Sequence, residues 1–268
     1  MRKAIEKWTS GADYDRWMGR WSRLVADEFL FWLALSRGLR YLDVCCGTGM
    51  LTAAIVERLA PASVQGIDAS TEQIQFARAQ RGWPNVDFQV GDAMHLPFSD
   101  CAFDVVVCGL GLNFIPEPER ALLEMRRVAL PDGCVAAYVW DYKDGTRFLR
   151  EFWDAAAAVD PDAQAYDQAR RFRLCNPDEL HRVCEKAGLR QIEACALSIT
   201  THFANFTDYW QPLLTGQGSA PNYLATRSES MRNLIRERLC ESLPTDSHGA
   251  IVLAAKAWAV RGHSPKEL

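Results

Sequence analysis

The feature that most constrains the fold is a regular alternation of strand-like and helix-like segments between residues 40 and 140. Short apolar runs predict five strands, at Tyr41–Val44, Val64–Ile67, Asp87–Val90, Phe103–Cys108 and Val135–Trp140. Helical patterns between them cover Leu51–Leu59, Thr71–Gln80 and Glu117–Ala129. Consecutive strands separated by helices pair in parallel through right-handed crossovers, with helices on both faces of the sheet. We therefore expect an α/β fold built on a doubly wound sheet.

The second half of the chain is expected to complete the same domain. Helices are predicted at Arg147–Val159 and Asn176–Lys186, and strands at Arg190–Thr200 and Ile251–Val260. Residues 202–243 are aromatic, then Gly/Pro-rich, then helical, and they interrupt the hairpin that these strands would form. We expect this insertion to pack over the ligand edge of the sheet, where insertions form lids or substrate pockets. Residues 1–268 are interpreted as a single domain, with a helical cover at 1–37, a ligand-binding core at 38–142 and substrate-side elements at 143–268.

A glycine turn follows the first predicted strand, within the sequence YLDVCCGTGML at residues 41–51. Such a turn before a helix exposes backbone amides to a ligand. A P-loop requires Gly-Lys-Ser/Thr, but Met50 follows Gly49 here. A dinucleotide fingerprint has a third glycine where this chain has Thr52, and Asp43 would repel a pyrophosphate. The same carboxylate favours a cation, and S-adenosylmethionine carries both a sulfonium and an ammonium group.

Two further motifs follow the next two strands. Asp68, in GIDAS, ends the second strand, where a ribose diol is gripped in nucleotide-binding sheets. Asp92, in GDAMHLPF, follows the third strand and can accept a hydrogen bond from an adenine amino group. The Ala93 and Met94 amides would lie beside that ring, and Ile74 would cover its other face. Asp68 indicates that the ligand contains a ribose, but it does not distinguish a dinucleotide from S-adenosylmethionine.

With these motifs the chain resembles the class I S-adenosylmethionine-dependent methyltransferases, in the branch that includes the ubiquinone/menaquinone C-methyltransferases. The resemblance is carried by YLDVCCGTG, GIDAS, GDAMHLPF, FDVVVCGLGLNFIPEPERALLEMRRVALPDG and the N-terminal YDRWMGRWSR, and it covers most of residues 14–140. It implies a Rossmann-like sheet of seven strands, mostly parallel with an antiparallel last strand. It also implies an N-terminal helix that closes over the cofactor. The chain departs from the family at Cys45, where glycine is common, and in RRVALPDG, which has one glycine where two are usual.

The resemblance also implies where S-adenosylmethionine, and its product S-adenosylhomocysteine, would lie. The methionine end would contact the strand end and the glycine turn, at Asp43, Cys45, Gly47 and Gly49. The ribose would contact Asp68 and Ala69, and the adenine would contact Ile74, Asp92, Ala93 and Met94. Leu110 and Gly111 would lie beside the methyl group. Tyr14 and Arg20 belong to the N-terminal helix, and Arg20 would pair with the cofactor carboxylate.

The methyl acceptor is expected to be a small, largely apolar or aromatic molecule, methylated on oxygen, nitrogen or carbon. This expectation rests on the aromatic second half, above all FANFTDYW at residues 203–210. Methyl transfer from a sulfonium is an in-line displacement that positioning alone can accelerate strongly. His202, where the insertion begins, is the candidate general base, and packing or solvation is its alternative role.

The composition limits the kinds of partner that the protein is expected to bind. The formal net charge is −4, and the arginines are scattered, so no nucleic acid partner is expected. The nine cysteines include no CxxC pair, and no metal is expected. We also expect no membrane span, no secretory signal and a cytoplasmic location with reduced thiols. The oligomeric state, monomer or homodimer, stays open. The alternatives are a methyltransferase acting on tRNA or protein, an inactive S-adenosylmethionine-binding protein and a nicotinamide oxidoreductase.

Overall fold

The computed structural model describes residues 10–80, 82–216 and 218–266, so the first nine residues of the predicted N-terminal cover lie outside it. Its centre is one seven-stranded sheet of order β3-β2-β1-β4-β5-β7-β6. The strands are β1 Arg40–Val44, β2 Ser63–Asp68, β3 Val86–Val90, β4 Phe103–Gly109, β5 Ala129–Trp140, β6 Arg190–Phe203 and β7 Ile251–His263. β1 to β5 are parallel, and β7 runs antiparallel between β5 and β6. The predicted sheet, with an antiparallel last strand, is confirmed.

Helices pack on both faces of the sheet. They are α1 Gly11–Tyr14, α2 Arg20–Leu33, α3 Met50–Leu59, α4 Thr71–Gln80, α5 Pro118–Val128, α6 Arg147–Val159, α7 Gln168–Arg171, α8 Pro177–Lys186, α9 Phe206–Trp210, α10 Ser219–Ala225 and α11 Glu229–Ser242. β4 alternates between two apolar cores: Val105 and Val107 pack with α2, α3 and α6, whereas Val106 and Cys108 pack with α5 and α8. Both faces of this central strand are therefore buried, as its unbroken apolar sequence predicts.

Local sequence signals explain several helix ends. Ser70 Oγ accepts a hydrogen bond from Gln73 N at 3.2 Å, which caps the start of α4. α8 is followed by Gly188 at φ +76°, a conformation that favours glycine. A π-helical turn, Asp15–Gly19, joins α1 to α2 and brings Trp17 and Met18 to the interior. Such turns often occur at functional sites.

The two last strands are longer than predicted. β6 and β7 pair from Arg190 with His263 to Phe203 with Ile251. His202, predicted to begin the insertion, therefore lies inside β6. The predicted strands were too short because β6 and β7 are extended by pairing with each other. Local apolar periodicity in the sequence does not indicate that extension. No helix in the described parts of the chain is long and apolar enough to cross a membrane.

Candidate cofactor and acceptor site

The glycine turn after β1 is held in backbone conformations that side chains disfavour. Cys45, Gly47 and Gly49 have φ values of +58°, +53° and +81°. Gly49 precedes the first residue of α3, and a Cβ on Gly49 would lie 3.2 Å from the Phe88 ring. The turn therefore presents its amides at the carboxyl edge of the sheet, before a helix N-terminus, where anionic groups bind.

Asp43 lies beneath this turn and is fully buried. Its Oδ2 accepts a hydrogen bond from Thr52 Oγ1 at 2.6 Å, while Oδ1 has no hydrogen-bond partner among the described residues. Burial raises the pKa of Asp43 to about 7, and the Thr52 bond opposes part of that rise. A buried carboxylate oxygen without a partner is costly, and a cationic ligand group within reach would relieve that cost.

Asp68 joins the end of β2 to the glycine turn. Its Oδ2 accepts from Gly47 N and its Oδ1 from Ser70 N, both at 2.9 Å. Burial raises the pKa of Asp68, and these backbone hydrogen bonds oppose the rise. The carboxylate therefore orders the turn. Neighbouring Ala69 is exposed, and Ile74 is buried in a small cluster with Phe88.

The predicted adenine motif forms a turn at the end of β3. Asp92 is exposed, and its Oδ1 accepts from Met94 N at 2.8 Å. This bond is the largest influence that lowers the pKa of Asp92, and His95 lowers it further. Ala93 is buried and Met94 half-buried, both against the core on the α5 side of the sheet.

The turn after β4 lies against the glycine turn. Leu110 has φ +61°, and its amide donates to Tyr138 O at 2.8 Å. A Cβ on Gly111 would lie under 3.0 Å from Cys45 Cβ, so the two turns are in direct contact. Glycine at position 111 makes that close approach sterically allowed. The predicted cofactor-site residues 43, 45, 47, 68, 110 and 111 thus come together at one edge of the sheet.

An aromatic pocket opens beside this edge. Its volume is about 30 Å³, and two of its lining residues, Tyr14 and Leu110, are predicted cofactor-site residues. The apolar, aromatic and glycine lining residues are Tyr14, Trp17, Met18, Leu110, Phe114, Trp140, Tyr142, Leu149, Gly218, Ala220 and Pro221. The polar lining residues are Gln168 and Ser219, and no charged side chain lines the pocket within the described part of the chain. The apolar and aromatic character of these walls suits a small apolar ligand.

The N-terminal segment covers the site. Tyr14 lies within 3.4 Å of Ser22 Oγ, and burial, with a smaller influence from the Asp68 carboxylate, raises its pKa. Arg20 donates to both carboxylate oxygens of Asp208, each at 3.1 Å, and lies over the rings of Trp21 and Phe203. Arg20 thus pairs with α9. Its pairing with a cofactor carboxylate stays a prediction.

His202 lies outside the pocket. It is exposed on the edge strand β6, opposite Val252. The FANFTDYW segment is likewise not a pocket wall: Phe203 and Tyr209 are fully buried in the core. The insertion contributes Gly218–Pro221 to the pocket instead. Among the described residues, no group of three His, Cys, Asp or Glu side chains is arranged to hold a metal ion.

Sequence reasoning missed most pocket residues. Trp17, Met18, Phe114, Leu149 and Gln168 come from four separate segments that meet only in the folded chain. The signals that were available were the π-prone YDRWMGRW stretch and the excess of aromatic residues in the second half. Neither of them specifies which side chains face inward.

Comparisons with known proteins agree with this geometry. Residues 42–137 match the family model described as a methyltransferase domain. Demethylmenaquinone methyltransferase of Staphylococcus aureus (strain JH9) is 32% identical over 168 residues, which are 58% of this chain and 70% of that protein. The Lactobacillus johnsonii protein of the same name is 38% identical over 113 residues, 40% of this chain and 46% of that protein. The aligned part thus spans about half the length of this second relative.

Solved structures agree at the level of the fold. Phosphoethanolamine N-methyltransferase 2 of Haemonchus contortus, in complex with phosphomonomethylethanolamine and S-adenosylhomocysteine, superposes with a TM-score of 0.60. The match covers 98% of this chain and 59% of that chain at 17% identity, which shows a common fold and nothing more.

Fold, glycine turn and strand-end acids together define a class I S-adenosylmethionine-dependent methyltransferase. Within that class, the chain belongs to the branch that contains the demethylmenaquinone methyltransferases.

Proposed function

We propose that this protein transfers the methyl group of S-adenosylmethionine to a small, flat, largely apolar acceptor held in the aromatic pocket. One observation carries the proposal: Leu110 follows β4 at the predicted cofactor edge and also lines the pocket. A cofactor on the glycine turn and an acceptor in the pocket would therefore be neighbours. The pocket walls carry no charge in the described chain, which favours an uncharged ring system over a charged polymer.

The residues at the sheet edge fit S-adenosylmethionine. The partnerless Oδ1 of Asp43 suits the ammonium group, and the amides of the turn before α3 suit the carboxylate. Asp68 would receive the ribose, and the Asp92 turn would receive the adenine. When bound, the cofactor supplies an electrophilic methyl group on a sulfonium, and S-adenosylhomocysteine is the product.

Positioning is the chain's main contribution to the reaction. The acceptor atom attacks the methyl carbon in line, and holding both partners in that geometry can supply several orders of magnitude in rate. Trp17, Met18 and Tyr14 come from the N-terminal cover and exclude water from that side of the pocket. His202 stays the candidate base, although its exposed position on β6 favours transfer by positioning.

The nature of the acceptor is supported by the relatives. Their name specifies demethylmenaquinone, a quinone with a flat ring system. The aromatic walls here suit such a ring, because offset and edge-to-face contacts add to area burial. We propose a reduced quinone or a related aromatic hydroxy compound as the acceptor class.

Calorimetric titration tests the cofactor. S-adenosylmethionine and S-adenosylhomocysteine should bind, and nicotinamide dinucleotides should not. Asp68→Asn should weaken binding by about tenfold or more, because one charged hydrogen-bond partner is lost. Glu241→Gln, on the far surface of α11, is the matched control and should bind as wild type does. Dinucleotide binding without binding of the sulfur nucleosides would contradict the assignment.

Label transfer tests the acceptor. With methyl-labelled S-adenosylmethionine and 1,4-dihydroxynaphthalene, the label should enter the organic-extractable product. Mixed tRNA and unfolded protein serve as competing acceptors. Label found only in either polymer would refute a small acceptor, and the same assay with His202→Ala tests the base. Turnover unchanged at saturating acceptor would exclude His202 from catalysis.

A further inference from the structure

Two of the described residues that line the pocket are polar, Gln168 and Ser219. Of these two, Gln168 is oriented by a hydrogen bond from a neighbouring indole. It is the first residue of α7 and is 5% exposed. Trp153 Nε1 donates to Gln168 Oε1 at 2.7 Å in a buried hydrogen bond. The backbone there is fixed as well, because Asp167 Oδ1 accepts from Ala169 N at 2.9 Å and Asp167 Oδ2 accepts from Arg150 at 2.6 Å.

The Trp153 contact determines which way the carboxamide points. An indole N–H can only donate, so the atom that faces Trp153 must be the amide oxygen. The NH2 group of Gln168 is then turned away from Trp153. No described residue accepts a hydrogen bond from it, and Gln168 lines the pocket. The pocket therefore contains an oriented hydrogen-bond donor in a lining that is mostly apolar and aromatic.

We propose that Gln168 determines acceptor specificity by donating a hydrogen bond to an oxygen atom of the flat acceptor, a phenol, phenolate or quinone carbonyl. This inference rests on the proposed function and adds the chemical group that the pocket selects. The Trp140 indole N–H, on the same wall, also lacks a partner among the described residues. Donors in a pocket that no described charged side chain lines favour an electron-rich oxygen and disfavour an amine or another cation.

The energetic reason for selectivity is desolvation. A buried N–H that meets an apolar or fluorinated ring edge stays without a partner, whereas an oxygen satisfies it. Sites that bind a substrate hydroxyl in this way discriminate strongly against the analogue that lacks it. Gln168 is thus a specificity residue. It takes no proton and forms no bond to the methyl group.

The test compares 2-naphthol with 2-fluoronaphthalene, two probes of similar shape that differ in hydrogen bonding. Dissociation constants are measured with the protein saturated with S-adenosylhomocysteine. Wild type should prefer 2-naphthol by about tenfold. Gln168→Met should reduce that preference to about twofold or less while 2-fluoronaphthalene binding changes little. Trp153→Phe, which frees the amide to rotate, should give an intermediate preference, and Gln164→Met on the neighbouring exposed turn is the matched control.

Each outcome decides the inference. A Gln168→Met protein that keeps the wild-type preference overturns it. Equal loss of both probes, with unchanged melting temperature and S-adenosylhomocysteine affinity, also overturns it, because Gln168 would then only shape the pocket. If wild type binds neither probe but binds S-adenosylhomocysteine, the acceptor class fails and this inference fails with it. Lack of S-adenosylhomocysteine binding would instead refute the cofactor itself.

Discussion

At the scale of single residues, Asp43 links the stability of the protein to its ligand. Its pKa is about 7 in the folded protein because the carboxyl group is buried. The unfolded value is about 4. Since the folded pKa is the higher one, folding binds a proton in this range. The contribution of Asp43 to stability is fully present below about pH 4 and is lost as the pH rises through 7.

The same pKa makes cofactor binding depend on pH. A cationic ligand group favours the ionised carboxylate, so affinity for S-adenosylmethionine should rise by about tenfold from pH 6 to pH 8. Near pH 7 binding should release a proton, which calorimetry in buffers of different ionisation enthalpy detects. In Asp43→Asn this pH dependence should disappear. A variant that keeps the full dependence would show that another group is responsible.

The contact between Gly111 and Cys45 predicts a pair of coupled substitutions. Gly111→Ala places a methyl group under 3.0 Å from Cys45 Cβ, and overpacking of this kind costs about 1–3 kcal/mol. Cys45→Gly removes the obstructing Cβ at a residue with φ +58° and should change stability little by itself. The double variant should recover most of the loss. Urea unfolding of the four proteins gives the coupling free energy, and additive effects would contradict direct contact.

At the scale of elements, the sequence predicted the parallel half of the sheet well. β1 and β4 are buried on both faces, so their mostly apolar sequences are visible without any knowledge of their partner strands. The start of β5 was placed at Val135 instead of Ala129, because LPDG has turn chemistry that the strand nevertheless includes. The pocket could not be predicted, since α1, α6, α7 and α10 meet there only through tertiary packing.

A buried hydrogen bond anchors the insertion, and removing it should lower the free energy of unfolding measurably. Tyr223 Oη, on α10, donates to Asp160 Oδ2 at 2.6 Å, and Arg227 also contacts that oxygen at 3.2 Å. Tyr223→Phe removes a bond to a charged group, which should lower the free energy of unfolding by about 1.5–3 kcal/mol. Tyr166→Phe, on the ring that packs against Tyr223, is the control and should change it by less than about 0.5 kcal/mol.

At the scale of the whole molecule, the N-terminal segment connects the two halves of the site. Gly11, in α1, lies against Phe76 of α4, on the cofactor side. Tyr14 lines the pocket, and Arg20 pairs with Asp208 of the insertion. Partly exposed ion pairs of this kind contribute about 1 kcal/mol or less. The cover is therefore expected to open locally unless a ligand adds contacts beneath it.

Ligand-dependent closure of this cover should be visible in proteolysis. Trypsin cleavage after Arg16, which is exposed, requires local opening, so saturating S-adenosylhomocysteine should slow it severalfold. Gly11→Val should prevent α1 from packing against Phe76, because even the Cβ of residue 11 would lie 2.6 Å from Phe76 Cγ. That variant should be cleaved rapidly with or without ligand. Gly11→Val with Phe76→Ala restores the space and should restore protection. Cleavage that ligand leaves unchanged in wild type would show that the cover is already closed when the cofactor site is empty.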